Sequence, residues 1–209
     1  MLIAREQSGF SLVELLIGMA LGITALSALS SLVGTGIGVN ANLLSGARVN
    51  EEASNIMSLL VRDIKRAGYS GATTSMVQDP SNNPSPFADS IELSAHPGEA
   101  INSCILFSYD ANNNGIFDAG ADGDNFGYRL KNNTIEIRVN DAECDGAGWL
   151  PLTDPSTVVI TALSFAVNQT VANEIPTTIV RINLQAEHAN DENVSRQYTM
   201  QALVRNYDG

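Results

Sequence analysis

The stretch "SGFSLVELLIGMALG", residues 8–22, places one carboxylate, Glu14, near the start of an otherwise unbroken apolar run. A charged side chain in the middle of a membrane helix costs roughly 2.5–3.5 kcal/mol on insertion scales. A carboxylate kept there implies a partner or a task.

No charged residue occurs from Leu15 to Ala47, and the strongly apolar part runs over 15–39. That length crosses a bilayer as a helix. Small residues recur along it, among them Gly18, Gly22, Ser27, Ser30 and Ser31. Such residues let helices approach closely in lipid, which predicts a bundle of helices. Gly34, Gly36 and Gly38 each cost up to about 1 kcal/mol relative to alanine, which predicts a soft, partly melted stretch there. A secretory signal peptide is the first competitor, and Ala25-Leu26-Ser27 and Ala28-Leu29-Ser30 imitate its cleavage site. Against it, the start carries only Arg5, offset by Glu6, and Glu14 falls inside the apolar core.

The 209 residues make one or two small domains. Charged residues are 16% and the formal net charge is -12. A nucleic-acid binder shows a basic face, so direct nucleic-acid binding is not expected. The acidity suits an exposed soluble surface, a basic partner or bound cations. The two cysteines, Cys104 and Cys144, lie far from the apolar run and lack CxxC spacing, which argues against zinc. If that half is exported, they pair in a disulfide. Closing a loop of about 40 residues stabilises by roughly 3–4 kcal/mol in the chain-entropy model. In a cytoplasmic half they would be two buried free thiols. The two histidines, His96 and His188, belong to no HExxH motif, and no GxSxG or phosphate-cradling glycine motif occurs. Both read as surface residues, and the chain is not expected to be an enzyme.

A second helical pattern follows. Val49, Ala53, Ile56, Leu60, Ile64 and Ala67 recur at spacings of three and four, so they share one helix face. Glu51 and Glu52 precede Arg62, Lys65 and Arg66, in the order the helix dipole favours. Gly68 reads as the stop. Residues 72–90 are rich in Ser, Thr, Asn and Pro and read as a loop. Short strand-like runs then cover 91–95, 104–109, 126–130, 134–139, 157–167, 178–187 and 194–205. Lys131-Asn132-Asn133 marks a hairpin. Trp149 reads as core or a domain edge. Together these predict an antiparallel sheet packed on the amphipathic helix.

Residues 109–118, "YDANNNGIFD", carry the most chemistry. Asp110, Asn112 and Asn114 stand at loop positions one, three and five, with Gly115 at six, Ile116 at seven and Asp118 at nine. Alternating oxygens and a sharp glycine turn are what an EF-hand calcium loop needs. Ala121 stands where the bidentate glutamate belongs, leaving Asp122 or Asp124 to supply the last ligand. Two readings stand: a structural calcium ion, with no other cofactor required, or a polar turn between strands.

Gly9-Phe10-Ser11-Leu12-Val13-Glu14 resembles the processing site of type IV prepilins. The resemblance implies a leader, residues 1–9, cut between Gly9 and Phe10 by a prepilin peptidase, with Phe10 then N-methylated. Glu14 becomes the fifth mature residue and pairs with the N-terminal amine of a neighbouring subunit. Arg62-Asp63-Ile64-Lys65-Arg66-Ala67-Gly68-Tyr69-Ser70-Gly71 is similar to the helix end of PilW-like minor pilins, with Lys65 replacing an arginine. The implied fold class is α+β and type IV pilin-like, with a long N-terminal helix packed on a C-terminal antiparallel β-sheet head. The implied domains are helix 10–68, apolar over 10–39 and amphipathic over 43–68, and head 69–209. The implied role is in a priming or tip complex that supports pilus assembly, and through it twitching motility, adhesion or DNA uptake. The partners would be other minor and major pilins and a tip adhesin. The head would stand in the periplasm, anchored by one pass through the inner membrane, and reach the cell surface in the pilus. A pseudopilin of a type II secretion system shares residues 9–14 and the helix. A membrane-anchored calcium-binding or enzymatic domain is the alternative of another class.

Overall fold

A computed structural model describes residues 9, 11–79, 82–120, 123–172 and 175–204. Residues 1–8 of the expected leader, Phe10 and Asp122 lie outside the described residues. The chain divides into two compact units, residues 1–44 and 45–209.

Helix α1 spans Leu12–Ile64, so it belongs to both units. Its apolar part stays helical through Gly34, Gly36 and Gly38, and the expected soft stretch is absent. The Thr35 hydroxyl donates to the Ser31 carbonyl at 2.8 Å. Thr24 and Ser27 donate likewise to Leu21 and Ile23. These three hydroxyls are satisfied on their own helix and do not ask for water.

The second unit contains the last turns of α1, a short α2 (Thr73–Gln78) and eight strands. The helix α2 corrects the expected loop over 72–90. In chain order the strands are β1 (Glu92–Ser94), β2 (Cys104–Ser108), β3 (Asn125–Lys131), β4 (Thr134–Arg138), β5 (Trp149–Pro151), β6 (Val158–Ala172), β7 (Ile175–His188) and β8 (Asp191–Val204). They form two antiparallel sheets, β1-β2-β3-β4-β5 and β6-β7-β8, where the sequence predicted one. The break falls between β5 and β6, which do not pair. The sheets are joined instead through Phe165 N–H to the Asn102 carbonyl and Ile160 N–H to the Asn133 carbonyl.

The predicted helix face is the observed one. Val49, Ala53, Leu60, Ile64 and Ala67 have no exposed surface, and Ile56 has little. They enter one core with Ile105, Phe107, Tyr128 and Ile135 of the first sheet and Ile160, Phe165, Ile182 and Leu184 of the second. At the β3–β4 hairpin Asn132 and Asn133 both take positive φ, 50° and 61°, as a two-residue turn requires. That turn sets Arg129 opposite Glu136.

Candidate functional site

Two features of the sequence carry functional readings, and they lie in different units. In the first, the apolar half of α1 presents its side chains outward. Leu16, Leu21, Leu26, Leu29 and Leu32 are each more than half exposed. By length and composition this helix can cross a membrane. Glu14 is the acidic residue of its first turn, and its Oε2 accepts from Ser11 N–H at 3.5 Å. The carboxylate thus lies where orphan N–H groups and the positive helix end favour it. Gly9 is exposed, and Phe10, the other residue of the expected cleavage site, is outside the described residues.

In the second unit the structure joins two motifs that the sequence keeps apart. The α-helical pattern ends at Ile64, and turns carry the chain to Gly68, which takes φ 77°. Gly68 N–H donates to the Ser108 carbonyl, and Asp110 N–H donates to the Tyr69 carbonyl, each at 2.9 Å. The Asp110 side chain, with no exposed surface, closes this clasp. Its Oδ2 accepts from Gly71 N–H and Gly115 N–H at 2.7 Å each, and its Oδ1 from Asn114 N–H at 3.1 Å. Burial pushes this carboxyl up, but the N–H donors of Gly71, Gly115, Asn114 and Asn113 outweigh it and hold the group below its ordinary value. Gly71 must be glycine, because a Cβ there would stand 2.8 Å from the Asn113 carbonyl oxygen. Arg66 lies 4.0 Å above the Tyr109 ring, which stacks on Phe126. The Tyr128 hydroxyl donates to Asp63 Oδ2, and burial, then that bond and charge, raise the phenol well above its ordinary range.

The residues considered for calcium fall inside this clasp. Asp118 Oδ2 accepts from the amides of Asn112 and Asn114, at 2.8 and 2.9 Å. Asp124 is buried and accepts from the N–H groups of Ala111 and Asp118. Ile116 N–H donates to the Asn114 Oδ1. Among the described residues no three His, Cys, Asp or Glu side chains gather around a common centre. Asp110, first in the loop, accepts the N–H groups of the fifth and sixth loop residues, Asn114 and Gly115, an arrangement that serves a polar turn and a cation-wrapping loop alike.

Cys104 and Cys144 form a disulfide, with Cα atoms 6.1 Å apart. Buried Arg129 braces the same region. Its guanidinium binds Glu136 at 2.7 Å, donates to the carbonyls of Cys144 and Gly146, and faces the Trp149 ring at 4.5 Å. The sequence reading missed Arg129, although the Asn132-Asn133 turn already set it opposite Glu136. Trp149 lies half-buried on the edge strand β5. His96 is in a loop beside Pro97, and His188 ends β7.

A long N-terminal helix, apolar at its start and amphipathic at its end, followed by antiparallel sheets defines a pilin-like α+β architecture. Comparison with known proteins agrees. Residues 4–30 match the model of the prokaryotic N-terminal methylation motif. Residues 42–204 match the model of prepilin peptidase-dependent protein B, and the chain belongs to that family. It is 24% identical over 186 residues to "Prepilin peptidase-dependent protein B" of Escherichia coli (strain K12), covering 87% of each chain. No solved structure matches. The family is pilin-like rather than an enzyme family.

Proposed function

We propose that this chain is a minor type IV pilin that works in a priming or tip complex. The observation that carries the reading is the division of α1 into a half that offers apolar side chains outward and a half buried in the head. A prepilin peptidase cuts between Gly9 and Phe10, and Phe10 is methylated. In the sequence the new amine stands four residues before Glu14. In the bilayer each charge alone is costly, and pairing Glu14 with the amine of the adjacent subunit offsets that cost. Docking is then favoured over remaining in lipid. The head stands in the periplasm and later on the pilus, where its partners are other minor and major pilins and a tip adhesin. Twitching motility, adhesion and DNA uptake follow from the filament.

Mass spectrometry of filaments sheared from the host, beside a strain deleted for this gene, tests the reading. The expected result is a peptide beginning at methylated Phe10 in the filaments and loss of pili in the deletion. Processed protein confined to the envelope, with pili intact and secretion impaired, would assign the chain to the pseudopilins instead. Glu14→Ala is expected to reduce incorporation at least tenfold with membrane insertion unchanged. Normal incorporation sinks the pairing.

A further inference from the structure

The two sheets have four edge strands, and three of them are poor templates for pairing. β1 and β5 are three residues long, and β5 ends in Pro151, which has no N–H to offer. β6 is held at Ile160 and Phe165, whose N–H groups donate to the Asn133 and Asn102 carbonyls. β8 differs. It is 14 residues long, and among the described residues its backbone bonds no backbone other than that of β7. In an antiparallel pair every second residue turns both its N–H and its C=O away from the partner strand. β8 thus carries a row of unpaired donors and acceptors. Natural edges are blunted by charge, proline or a bulge. Residues 197–204, "QYTMQALV", contain no charge and no proline, and their register with β7 is unbroken.

The side chains point the same way. Tyr198 and Met200 of β8 pack against the core but stay only half-buried. Their cross-strand partners on β7, Leu184 and Ile182, are buried. One more strand beside β8 would give Tyr198 and Met200 the neighbours that β8 gives Leu184 and Ile182. Such a strand extends the core row with apolar residues at alternate positions. Between them it carries polar residues, beside exposed Gln197, Thr199 and Gln201. A second copy of this chain fits poorly, because a net charge of -12 on each opposes self-association.

We propose that β8 receives an extended strand from a different protein, uncharged along residues 197–204 and apolar at alternate positions. It joins the second sheet beside β8 through main-chain hydrogen bonds, with the alternate side chains giving specificity. The inference goes beyond the pilin reading and needs only the head.

Photo-crosslinking of the full chain in its host tests this. A benzophenone side chain is placed in turn at Gln197, Thr199 and Gln201, and for comparison at Gln185 on β7. The expected result is an adduct from all three β8 positions with one segment of one other protein. The residue modified there should advance by about two for each step of two along β8, which strand pairing requires and a loose surface contact does not. Gln197→Lys, opposite neutral Gln185, should lower the adduct from position 199 at least fivefold with the melting temperature unchanged. No adduct, adducts with copies of this chain, modified residues that do not advance in register, or a stronger adduct from position 185 overturns the proposal. Cleavage after Gly9 is scored in the same cells. An uncut chain that still gives the registered adduct sinks the pilin reading alone, and a cut chain without the adduct sinks the strand contact alone.

Discussion

Leu26 and Leu60 belong to one helix and meet opposite fates. Leu26 is 65% exposed and Leu60 is fully buried. Residue type and helical propensity are the same at the two places, so neither explains the difference. The pattern around them does. About Leu60, apolar residues hold one stripe and charged residues the rest, so one face fits a core and the other suits water. About Leu26 the helix is apolar all round, apart from hydroxyls that bond their own backbone. No orientation of such a helix satisfies water, and it needs lipid or neighbouring apolar helices. The same side chain thus serves folding in one half and assembly in the other.

The comparison can be broken by measurement. Replacing both cysteines with serine should lower the head's stability by about 4 kcal/mol, as expected for a loop of this length. Chemical denaturation followed by Trp149 fluorescence reads the effect, and membrane insertion of α1 should not change. Leu60→Ala should cost about 3 kcal/mol in the same assay. Leu26→Ala should cost under about 0.5 kcal/mol, its effect appearing in filament incorporation. Equal effects at the two leucines would erase the distinction between the halves.

Asp110→Asn should destabilise the head by about 2 kcal/mol, because buried N–H groups lose a charged acceptor. The sign with pH follows from its lowered folded value. The Asp110 contribution is complete above the ordinary carboxyl value of 3.8 and is lost as pH falls through the folded one. The native chain and the Asp110→Asn variant should therefore converge in stability in acid, and a gap that widens there would contradict the clasp. Calcium should leave the melting temperature unchanged in both. A rise of several degrees confined to the native chain would restore the ion. Glu52→Gln should have the smallest effect and the opposite pH sign. Its raised folded value penalises the head as pH climbs above 4.5, so the substitution should flatten stability in that window.

Much of this fold was legible in the sequence. The buried face from Val49 to Ala67 follows from spacing alone, whereas the α-helix ends at Ile64, four residues before the glycine that marked the stop. The β3–β4 hairpin follows from Asn132-Asn133, and most strands lie within a few residues of their predicted bounds. The readings that failed have two physical causes, cooperativity along a helix and reliance on partners distant in the chain. Three weak helix formers at 34, 36 and 38 predicted melting, yet cooperative hydrogen bonding carried the helix through them. The division into two sheets depends on which strands pair, a choice alternation does not make. Asp110 looked like a cation ligand or a turn former because its spacing to Asn112 and Asn114 allows both. What spacing does not show is the partner from elsewhere in the chain, Gly71, 39 residues away, whose N–H donates to Asp110.

By itself the sequence determined which helix face is buried, that a carboxylate opens the apolar run, and that residues 4–30 carry the methylation motif. These are local properties, set by periodicity, backbone freedom and charge within a few turns. The tertiary structure alone decided that the helix end and the polar loop form one clasp, that Arg129 braces the disulfide region, and that Asp110 and Asp124 bind backbone N–H groups. Those outcomes depend on which donors fold back to each acceptor. A buried carboxylate takes the donors that reach it, and only the folded chain brings Gly71 there.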